Sequence, residues 1–511
     1  MARSERVFRN LYRDSVALMR LSAKLRALAG VRQASAIMAS AGNLALLREA
    51  GLAIGDVEAG PNDLLVALEG DEEALEAALD AAEAELTRAP AAAQQGELRR
   101  LPPRSVEMGL AELVTANLAL ISTPGEYAAA EAMKALRLGL NVMLFSDNVA
   151  LEDEIALKRY AREHDLMVMG PDCGTAIIGG VPLGFANVVR RGDIGVIAAS
   201  GTGLQQVTCL IDRWGKGISQ AIGTGGHDLH ARVGGITMLQ GLDALAADPA
   251  TRVIVLISKP PHPEVAKRVL DAADRTGKPV VANFLGADPE TVRRPNVHPV
   301  RTLEDAARLA AALAGGAAQA ATAHLGDAPE IPQLAPEQRY VRGLYSGGTF
   351  CYEALLLLSE AFGTIASNTP LEPEAMLADV WRSQRHTVID LGDDAFTRGR
   401  PHPMIDQALR RERILEEASD PEVAVILFDV VLGHGAHPDP ASELAATLEE
   451  ALARAATAGR SLALVGSVCG TAADPQDLAR QEAALRAAGA LLAVSNAQAV
   501  RLAARIAGRQ A

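Results

Sequence analysis

Apolar segments of strand length alternate with segments of helical periodicity along most of the chain. From position 106 onward, apolar runs such as Ala116–Ile121 and Asn141–Phe145 are separated by amphipathic stretches such as Glu126–Leu138 and Leu151–His164. Strands that alternate with helices in this way predict βαβ units and a parallel sheet. Because such sheets bind ligands beyond the carboxyl ends of their strands, the loops that follow the strands are the candidate sites.

The first 95 residues follow a different pattern. Ser15–Leu28 and Asp71–Leu86 have helical periodicity, whereas Val31–Met38 and Asp63–Leu68 are strand-like. This order predicts a small α/β unit with a ferredoxin-like arrangement. The stretch Ala89–Arg104 is rich in Ala, Gln and Pro and predicts a linker after it.

The rest of the chain contains an internal repeat. Gly195–Thr202 and Arg342–Thr349 each close an apolar strand with a turn of Ser, Gly and Thr and open a helix. Three further landmarks follow in the same order in both copies: a strand-end loop, an Asp-Pro pair before a strand, and a Gly-containing turn before the next strand. The repeat predicts a tandem duplication of one flavodoxin-like domain, with a linker at Gly315–Pro336.

These patterns predict an α/β protein with four domains. They are a small N-terminal α/β (ferredoxin-like) domain at 1–95, a Rossmann-like domain at 106–192, and two tandem flavodoxin-like domains at 193–315 and 337–511.

Composition and charge exclude several classes of protein. The 511 residues carry a net charge of −14, which argues against binding to nucleic acid. The uncharged run Leu309–Ala323 is too short to span a bilayer, so we expect no membrane segment. Four cysteines without a Cys-x-x-Cys pair argue against a disulfide framework or a structural zinc site. We therefore expect a cytoplasmic protein.

The two repeated turns are candidate anion sites. N–H groups at the start of a helix attract negative charge, and glycine allows a ligand to approach the backbone closely. The candidates are Ser200, Gly201, Thr202 and Gly203 in the first copy, and Ser346, Gly347, Gly348 and Thr349 in the second. The alternative is that these Ser and Thr side chains only cap the helices.

Two further strand-end loops contain histidine. The first contains Gly225, Gly226 and His227, and the second contains Gly433, His434, Gly435 and His437. His227 and His437 are candidate catalytic acids or bases. Two histidines near Asp429 could indicate a metal, but no fourth ligand is evident and we predict none. Cys173 closes another strand, and we expect a structural role for it.

At these residues the chain resembles the ADP-forming acyl-CoA synthetases, the superfamily of succinyl-CoA synthetase. The motifs that carry the resemblance are Gly170-Pro171-Asp172-Cys173, Ser200-Gly201-Thr202, Gly223–Gly226, and the stretch from Phe428 to Pro440. The last stretch and the additional N-terminal unit are most similar to the FdrA-like proteins. The resemblance covers nearly all of residues 106–505. It implies that the Rossmann-like domain at 106–192 is of the CoA-binding type and that the two flavodoxin-like domains at 193–315 and 337–511 are of the ligase type.

The chain departs from that superfamily where the ligase chemistry takes place. The resemblance implies a phosphorylated histidine in a Gly-His-Ala-Gly loop after Val280–Leu285, but the chain reads Gly286-Ala287-Asp288-Pro289-Glu290 there. Ser258–Pro263 replaces the acidic turn that supports that histidine, and the Gly-rich first turn of the CoA-binding domain is missing before Val114. These departures argue against ATP-driven ligation by this polypeptide.

The FdrA-like resemblance implies a carbamoyl- or acyl-transferase subunit. Its implied substrates are small anions, either carbamoyl phosphate with oxamate (an oxamate carbamoyltransferase of purine breakdown) or an acyl phosphate. YlbE-like and YlbF-like proteins are the implied partner subunits, and CoA is a cofactor by resemblance alone. An acyl-CoA ligase subunit and a non-catalytic scaffold or regulatory subunit remain as alternatives. For a transferase, we expect the four loops at Ser200–Gly203, Gly225–His227, Ser346–Thr349 and Gly433–His437 to converge on one cleft.

The missing loop generates a prediction about covalent modification. Incubation with ATP and magnesium, with or without CoA, is expected to leave every histidine unphosphorylated, because no residue replaces the relay histidine. Intact-mass and peptide mass spectrometry under alkaline conditions measures this. Stoichiometric acid-labile phosphate on His227, His298 or another histidine would contradict it.

Overall fold

A computed structural model describes residues 2–49, 51–52, 58–87, 103–315, 332–398 and 400–508. The two predicted linkers lie largely outside these residues. The described part is a mixed α/β protein with four β-sheets.

The N-terminal unit is a three-stranded antiparallel sheet covered by helices. Its order along the chain is β1 (Ala2–Phe8), α1 (Ser15–Arg26), β2 (Val31–Met38), α2 (Ala41–Glu49), β3 (Leu64–Gly70) and α3 (Glu72–Thr87), and the sheet order is β1-β3-β2. The sequence pattern missed β1 because its outward residues are charged. Arg3 pairs with Glu69, and Arg6 pairs with Glu76, Asp80 and Glu83. These pairs hide the apolar alternation that identifies a strand.

The Rossmann-like unit has three parallel strands in the order β4-β5-β6. Its elements are α4 (Val106–Glu112), β4 (Leu118–Ile121), α5 (Gly125–Arg137), β5 (Asn141–Leu144), α6 (Leu151–Glu163) and β6 (Val168–Met169). β4 and β5 lie within the predicted apolar runs, and β6 lies within a third run, Leu166–Met169. Their carboxyl ends lead into the loops at Ser122, Phe145 and Gly170.

The first flavodoxin-like unit is built on a seven-stranded sheet with the order β13-β12-β11-β9-β10-β7-β8. Its elements are β7 (Thr175–Ile178), β8 (Val181–Gly184), β9 (Arg191–Ala198), α7 (Gly201–Arg213), β10 (Ile218–Gly223), α8 (Ile236–Ala247), β11 (Val253–Ser258), α9 (Pro263–Asp274), β12 (Val280–Phe284), α10 (Pro289–Val292), β13 (Val297–Pro299) and α11 (Leu303–Leu313). The hairpin β7–β8 pairs antiparallel with β10, so this sheet begins before the predicted boundary at 192.

The second flavodoxin-like unit has five parallel strands in the order β15-β14-β16-β17-β18. Its elements are β14 (Tyr340–Tyr345), α12 (Gly348–Phe362), β15 (Thr387–Asp390), α13 (Asp394–Thr397), α14 (Ala408–Ser419), β16 (Val423–Val431), α15 (Pro440–Thr457), β17 (Ala463–Cys469), α16 (Leu478–Ala487), β18 (Leu491–Ala493) and α17 (Asn496–Ala507). The first copy has the same order, β10-β9-β11-β12-β13. The predicted duplication is therefore confirmed in the strand topology.

The two copies share one hydrophobic core. Helices α7 and α11 of the first copy pack with α12 and α17 of the second. Leu204, Leu210, Phe350, Leu355 and Ile506 are almost completely buried in this core. Because each copy covers one apolar face of the other, these two faces are buried only in the pair.

The described helices are too short or too polar to cross a membrane. The longest, α15, has 18 residues and includes Glu443, Glu449, Glu450 and Arg454. None in the described ranges is long and apolar enough to span a bilayer.

The shared core predicts that the two copies unfold together. The chain has two tryptophans, Trp214 beside the shared core and Trp381 in the second copy, so Trp214→Phe and Trp381→Phe each leave one reporter. We expect the same urea midpoint from both. Leu355→Ala is expected to lower both midpoints, at a cost of about 2–5 kcal/mol.

Leu120→Ala is the control, since Leu120 is 48% exposed on β4 and we expect its cost to stay within about 0.5 kcal/mol. A Leu355→Ala variant that shifted the fluorescence of Trp381 alone would contradict a shared core.

Candidate functional site

The two repeated turns meet. Ser200 caps α7, and its Oγ accepts a hydrogen bond from Gly203 N at 2.9 Å. Thr349 lies in the first turn of α12, and its Oγ1 is 2.6 Å from Ser200 Oγ. The positive ends of two duplicated helices therefore adjoin, as the sequence predicts for Ser200–Gly203 and Ser346–Thr349.

The start of α12 is already faced by two carboxylates. Asp429 accepts hydrogen bonds from Ser346 N, Ser346 Oγ and Gly347 N at 2.8–2.9 Å. Asp390 lies so close to Gly348 that a Cβ there would be 2.6 Å from its Oδ2. Burial raises the pKa of Asp390 to about 6, against the opposing effect of Lys259. The polar groups of this turn thus bind protein carboxylates.

The start of α7 lacks these two carboxylates. Asp390 pairs across the sheet with Tyr345, and Asp429 follows the partner of Leu344. In the first copy, the corresponding partners of Ala198 are Gly223 and Ile257. The duplication has therefore produced one helix start beside two acidic strand-end residues and one beside two uncharged strand-end residues. The first N–H groups of α7 have no partner within the helix.

The start of α7 opens on a cavity with a volume of about 770 Å³. All four units contribute to its wall. Representative lining residues are Met19, Ser22, Met38 and Asn43 of the N-terminal unit, Thr123, Asp147 and Asp172 of the Rossmann-like unit, Gly201, Thr202 and Gln205 of the first copy, and Asp394, Arg398, Arg400 and His402 of the second.

Three acidic side chains on this wall influence one another. They are Asp147 after β5, Asp172 after β6 and Asp394 at the start of α13. Burial, together with the neighbouring charges of Asp147 and Asp394, raises the pKa of Asp172 to about 6, while His227 and Lys259 oppose the shift. Burial also raises the pKa of Asp147, with a contribution from Asp394. These carboxyls can accept hydrogen bonds from N–H groups, and Asp172 can change protonation near neutral pH.

The loop after β15 adds basic groups to the same wall. Burial lowers the pKa of Arg400, whose guanidinium lies 5.4 Å from the centre of the Trp381 ring. Burial also lowers the pKa of His402 to about 4, so its imidazole is neutral at pH 7. Its Nδ1 accepts a hydrogen bond from Met404 N at 3.2 Å, so the ring proton is on Nε2.

The loop at Gly225–His227 lies beside the cavity. A Cβ at Gly225 would be 2.2 Å from the carbonyl oxygen of Pro171, and its φ of 82° favours glycine. Gly226 is next to Asp172. The side chain of His227 is 59% exposed and is outside the set of residues that line the cavity.

The loop at Gly433–His437 does not reach the cavity, which corrects the expected convergence of four loops. His434 N donates to Ala186 O, and Gly435 packs on Phe185. His437 Nδ1 accepts a hydrogen bond from Asp439 N, so its imidazole helps to start α15. The reason is strand length: the apolar run Val423–Phe428 predicts a strand that ends at Phe428, whereas β16 continues to Val431. At roughly 3.3 Å per residue, the loop begins about 10 Å further along.

The described residues contain no candidate metal site, and the thiol of Cys173 is not reactive. No group of three or more His, Cys, Asp or Glu side chains there could hold a metal ion. Burial raises the pKa of Cys173 to about 12, so this thiol is not a nucleophile at neutral pH.

Sequence reasoning missed the cavity residues Arg400, His402, Asp147 and Asp394. One signal could have found one of them. The strand register aligns Asp390 with Gly223, so Asp394 lies in the loop equivalent to Gly223–Asp228.

Family models agree with this architecture. A CoA-ligase model matches residues 344–506, a CoA binding domain model matches residues 189–286, and a model described as "AllF, heavy metal-associated domain" matches residues 1–101. The CoA binding match falls on the first flavodoxin-like unit, whereas we predicted that type for residues 106–192. The fold and these matches define an enzyme of the CoA-ligase class.

The chain belongs to the ADP-forming acyl-CoA synthetase superfamily, as an FdrA-like member similar to YahF. It is 44% identical to the uncharacterized protein YahF of Escherichia coli (strain K12) over 492 residues, which is 95% of each chain. It is 27% identical to the α subunit of succinate–CoA ligase of Aquifex aeolicus over 34% of this chain and 57% of that subunit. The structure was also compared with that of acetyl-coenzyme A synthetase 1 of Ca. Korarchaeum cryptofilum. The match covers 77% of this chain and 83% of that chain, with 15% sequence identity and a TM-score of 0.32.

The residues present do not fit the two cofactors that these names imply. Residues 1–101 contain neither Cys nor His, the usual ligands of heavy metals. For CoA, the turn after β4, Ser122-Thr123-Pro124-Gly125, lacks the Gly-rich pattern that holds a pyrophosphate, and no strand within the matched residues 189–286 is followed by a Gly-x-Gly-x-x-Gly turn.

The raised pKa of Asp172 predicts a pH-dependent stability. Between about pH 4 and 6 the folded protein binds a proton that the unfolded chain has lost, so stability falls as the pH rises through this range. Asp172→Asn, which stays neutral, is expected to match the wild-type melting temperature near pH 4 and to exceed it above pH 6. The carboxyl is accessible from the cavity, so the difference is reduced by solvent.

Thermal melts from pH 4 to 8 measure this difference. Asp165→Asn is the matched control, because Asp165 has the same left-handed backbone (φ 55°, against 54° at Asp172) but lies outside the cavity lining. A constant difference between wild type and Asp172→Asn across the whole range would contradict the prediction.

Proposed function

We propose that the chain is an enzyme subunit that transfers a carbamoyl or acyl group from its phosphate, with the phosphate bound at the start of α7. The observation that carries this proposal is the asymmetry of the duplicated helix starts. Gly201 and Thr202 face a cavity without the two acids that face α12. N–H groups at a helix start favour a phosphate, and the developing charge of a leaving phosphate is stabilised there in the transition state.

The acids on the wall favour a carbamoyl group over a simple acyl group. Asp147, Asp172 and Asp394 can accept hydrogen bonds from an amide N–H₂, which an acetyl group lacks. His402, neutral with its proton on Nε2, can donate to the carbonyl oxygen. Arg398 and Arg400 supply positive charge for a second anionic group, such as the carboxylate of an acceptor.

In the proposed reaction the acceptor nitrogen forms a bond to the carbonyl carbon of carbamoyl phosphate. The bond between that carbon and the phosphate oxygen breaks, and phosphate leaves with the electron pair. With oxamate as acceptor the products are oxalurate and phosphate. The FdrA-like resemblance supports this acceptor and supports YlbE-like and YlbF-like proteins as the subunits that complete the enzyme.

An acyl-CoA ligase is the second candidate, favoured by the CoA-ligase match over residues 344–506. Formation of an acyl-CoA from the acid, CoA and ATP by the chain with a nucleotide-binding partner would support it. Oxalurate phosphorolysis by the chain with YlbE-like and YlbF-like proteins would support the transferase. Full activity of those partners without this chain would support a regulatory subunit.

The phosphate site predicts the effect of blocking α7. A Cβ at Gly201 would be in ordinary contact at 3.5 Å with Thr175 Oγ1, so Gly201→Val can fold while its methyl groups enter the cavity. We expect carbamoyl phosphate and inorganic phosphate to bind at least about tenfold more weakly, because the N–H groups are blocked. Thr202→Val, which loses one hydroxyl, is expected to weaken binding by about fivefold, equivalent to about 1 kcal/mol.

Isothermal titration calorimetry measures both affinities. Gly109→Val is the control, since a side chain there meets nothing within 4 Å and Gly109 lies on α4, outside the cavity lining. Unchanged phosphate affinity in Gly201→Val would show that the anion site is elsewhere.

A further inference from the structure

A buried charge cluster ties α6 to the loop after β10. Lys158 Nζ donates to Glu154 Oε1 at 2.7 Å, to Asp228 Oδ1 at 2.8 Å and to the carbonyl oxygen of Thr224 at 3.0 Å. The side chains of Lys158 and Asp228 are completely buried, and that of Glu154 is 1% exposed. Packing alone does not require ionisable groups here, because a buried ion pair is costly to desolvate.

The cluster has one negative charge more than its ammonium neutralises. Both carboxylate oxygens of Asp228 also have backbone donors, since Oδ1 accepts from Thr237 N at 3.1 Å and Oδ2 accepts from Met238 N at 2.9 Å at the start of α8. Glu154 Oε2 is different: among the described residues it has no hydrogen-bond partner, and it lies 3.6 Å from His227 Nδ1. The unbalanced carboxylate oxygen therefore faces an imidazole.

We infer that Glu154 is a positioning residue that holds His227 with its proton on Nδ1, so that Nε2 is free to accept a proton. Lys158 fixes Glu154 through Oε1, and Glu154 directs Nδ1–H through Oε2, the arrangement by which a carboxylate sets a histidine tautomer. His227 is 59% exposed and follows Gly226, which lies beside Asp172 on the cavity wall. The base is thus at the edge of the cavity.

The role in the reaction rests on the proposed function. When the acceptor nitrogen bonds to the carbamoyl carbon and phosphate leaves, that nitrogen loses a proton. His227 Nε2 takes this proton, and Glu154 stabilises the imidazolium that forms. If Glu154 were purely structural, its pairing with Lys158 through Oε1 would suffice, and changing Oε2 would not affect the reaction. The structural role and the positioning role can therefore be tested separately.

Glu154→Gln tests the inference because it keeps the hydrogen bond from Lys158 and exchanges donor and acceptor in the contact with His227. The amide oxygen can still accept from Lys158, while the amide N–H₂ then faces His227 Nδ1 and can donate to it. Two-bond ¹H–¹⁵N spectra of histidine-labelled protein at pH 8 report the tautomer, and His227→Gln identifies the resonance. We expect Nδ1–H in the wild type and a majority of Nε2–H in Glu154→Gln.

Glu152→Gln is the matched control on the same helix, since Glu152 is 69% exposed and pairs with Arg232. It is expected to leave the tautomer and the rate unchanged. In the carbamoyl-phosphate assay, Glu154→Gln is expected to lower kcat by about tenfold with KM unchanged.

Failure of the inference about Glu154 and failure of the proposed function would give different results. The Nε2–H tautomer in the wild type, or the same tautomer in the wild type and Glu154→Gln, would overturn the inference, and the wild-type spectrum decides if the variant does not fold. A reversed tautomer without carbamoyl transfer in any variant would support the pairing and overturn the proposed function.

Discussion

The contact between the starts of α7 and α12 is the constraint on which the rest of the structure depends. Ser200 and Thr349 bring the two hydroxyls within 2.6 Å, and the helices behind them share one core. Two positive helix ends at close range repel each other unless negative charge compensates. Asp390 and Asp429 provide that charge on one side. The other side opens on the cavity, where a bound anion can supply the compensation.

The duplicated units have five equivalent strands in the same order, but they differ in the residues at the strand ends beside the two helix starts. Gly223 and Ile257 occupy the positions in the first copy that Asp390 and Asp429 occupy in the second. A change of two side chains at strand ends converts a self-neutralised turn into one that can receive a ligand. The superfamily fold is retained, while the loop that the resemblance assigns to a relay histidine is missing.

The remaining units enclose this junction. The N-terminal and Rossmann-like units contribute more than half of the residues that line the cavity, and Arg26 of α1 pairs with Glu412 at 3.3 Å in the second copy. The enclosure explains why the pKa values of Asp172 and His402 depart from their usual ranges, since burial is the largest cause of both shifts. Glu154 and Lys158 extend the same principle to the neighbouring histidine loop: buried charges orient a group that remains accessible.

The sequence by itself determined the α/β class, the repeat, the helix starts and the absence of the relay loop, because these depend on local periodicity, on Gly and Ser at strand ends and on motif order. It did not determine which strand-end loops share a cavity, because that depends on strand length and sheet register. Three additional residues carry β16 past the end of β14, in step with β17, and His437 lies away from the cavity as a result. His402 and Arg400 enter the wall through a loop whose path no periodicity describes. Local patterns set the elements, whereas their lengths and packing in three dimensions decided which side chains meet.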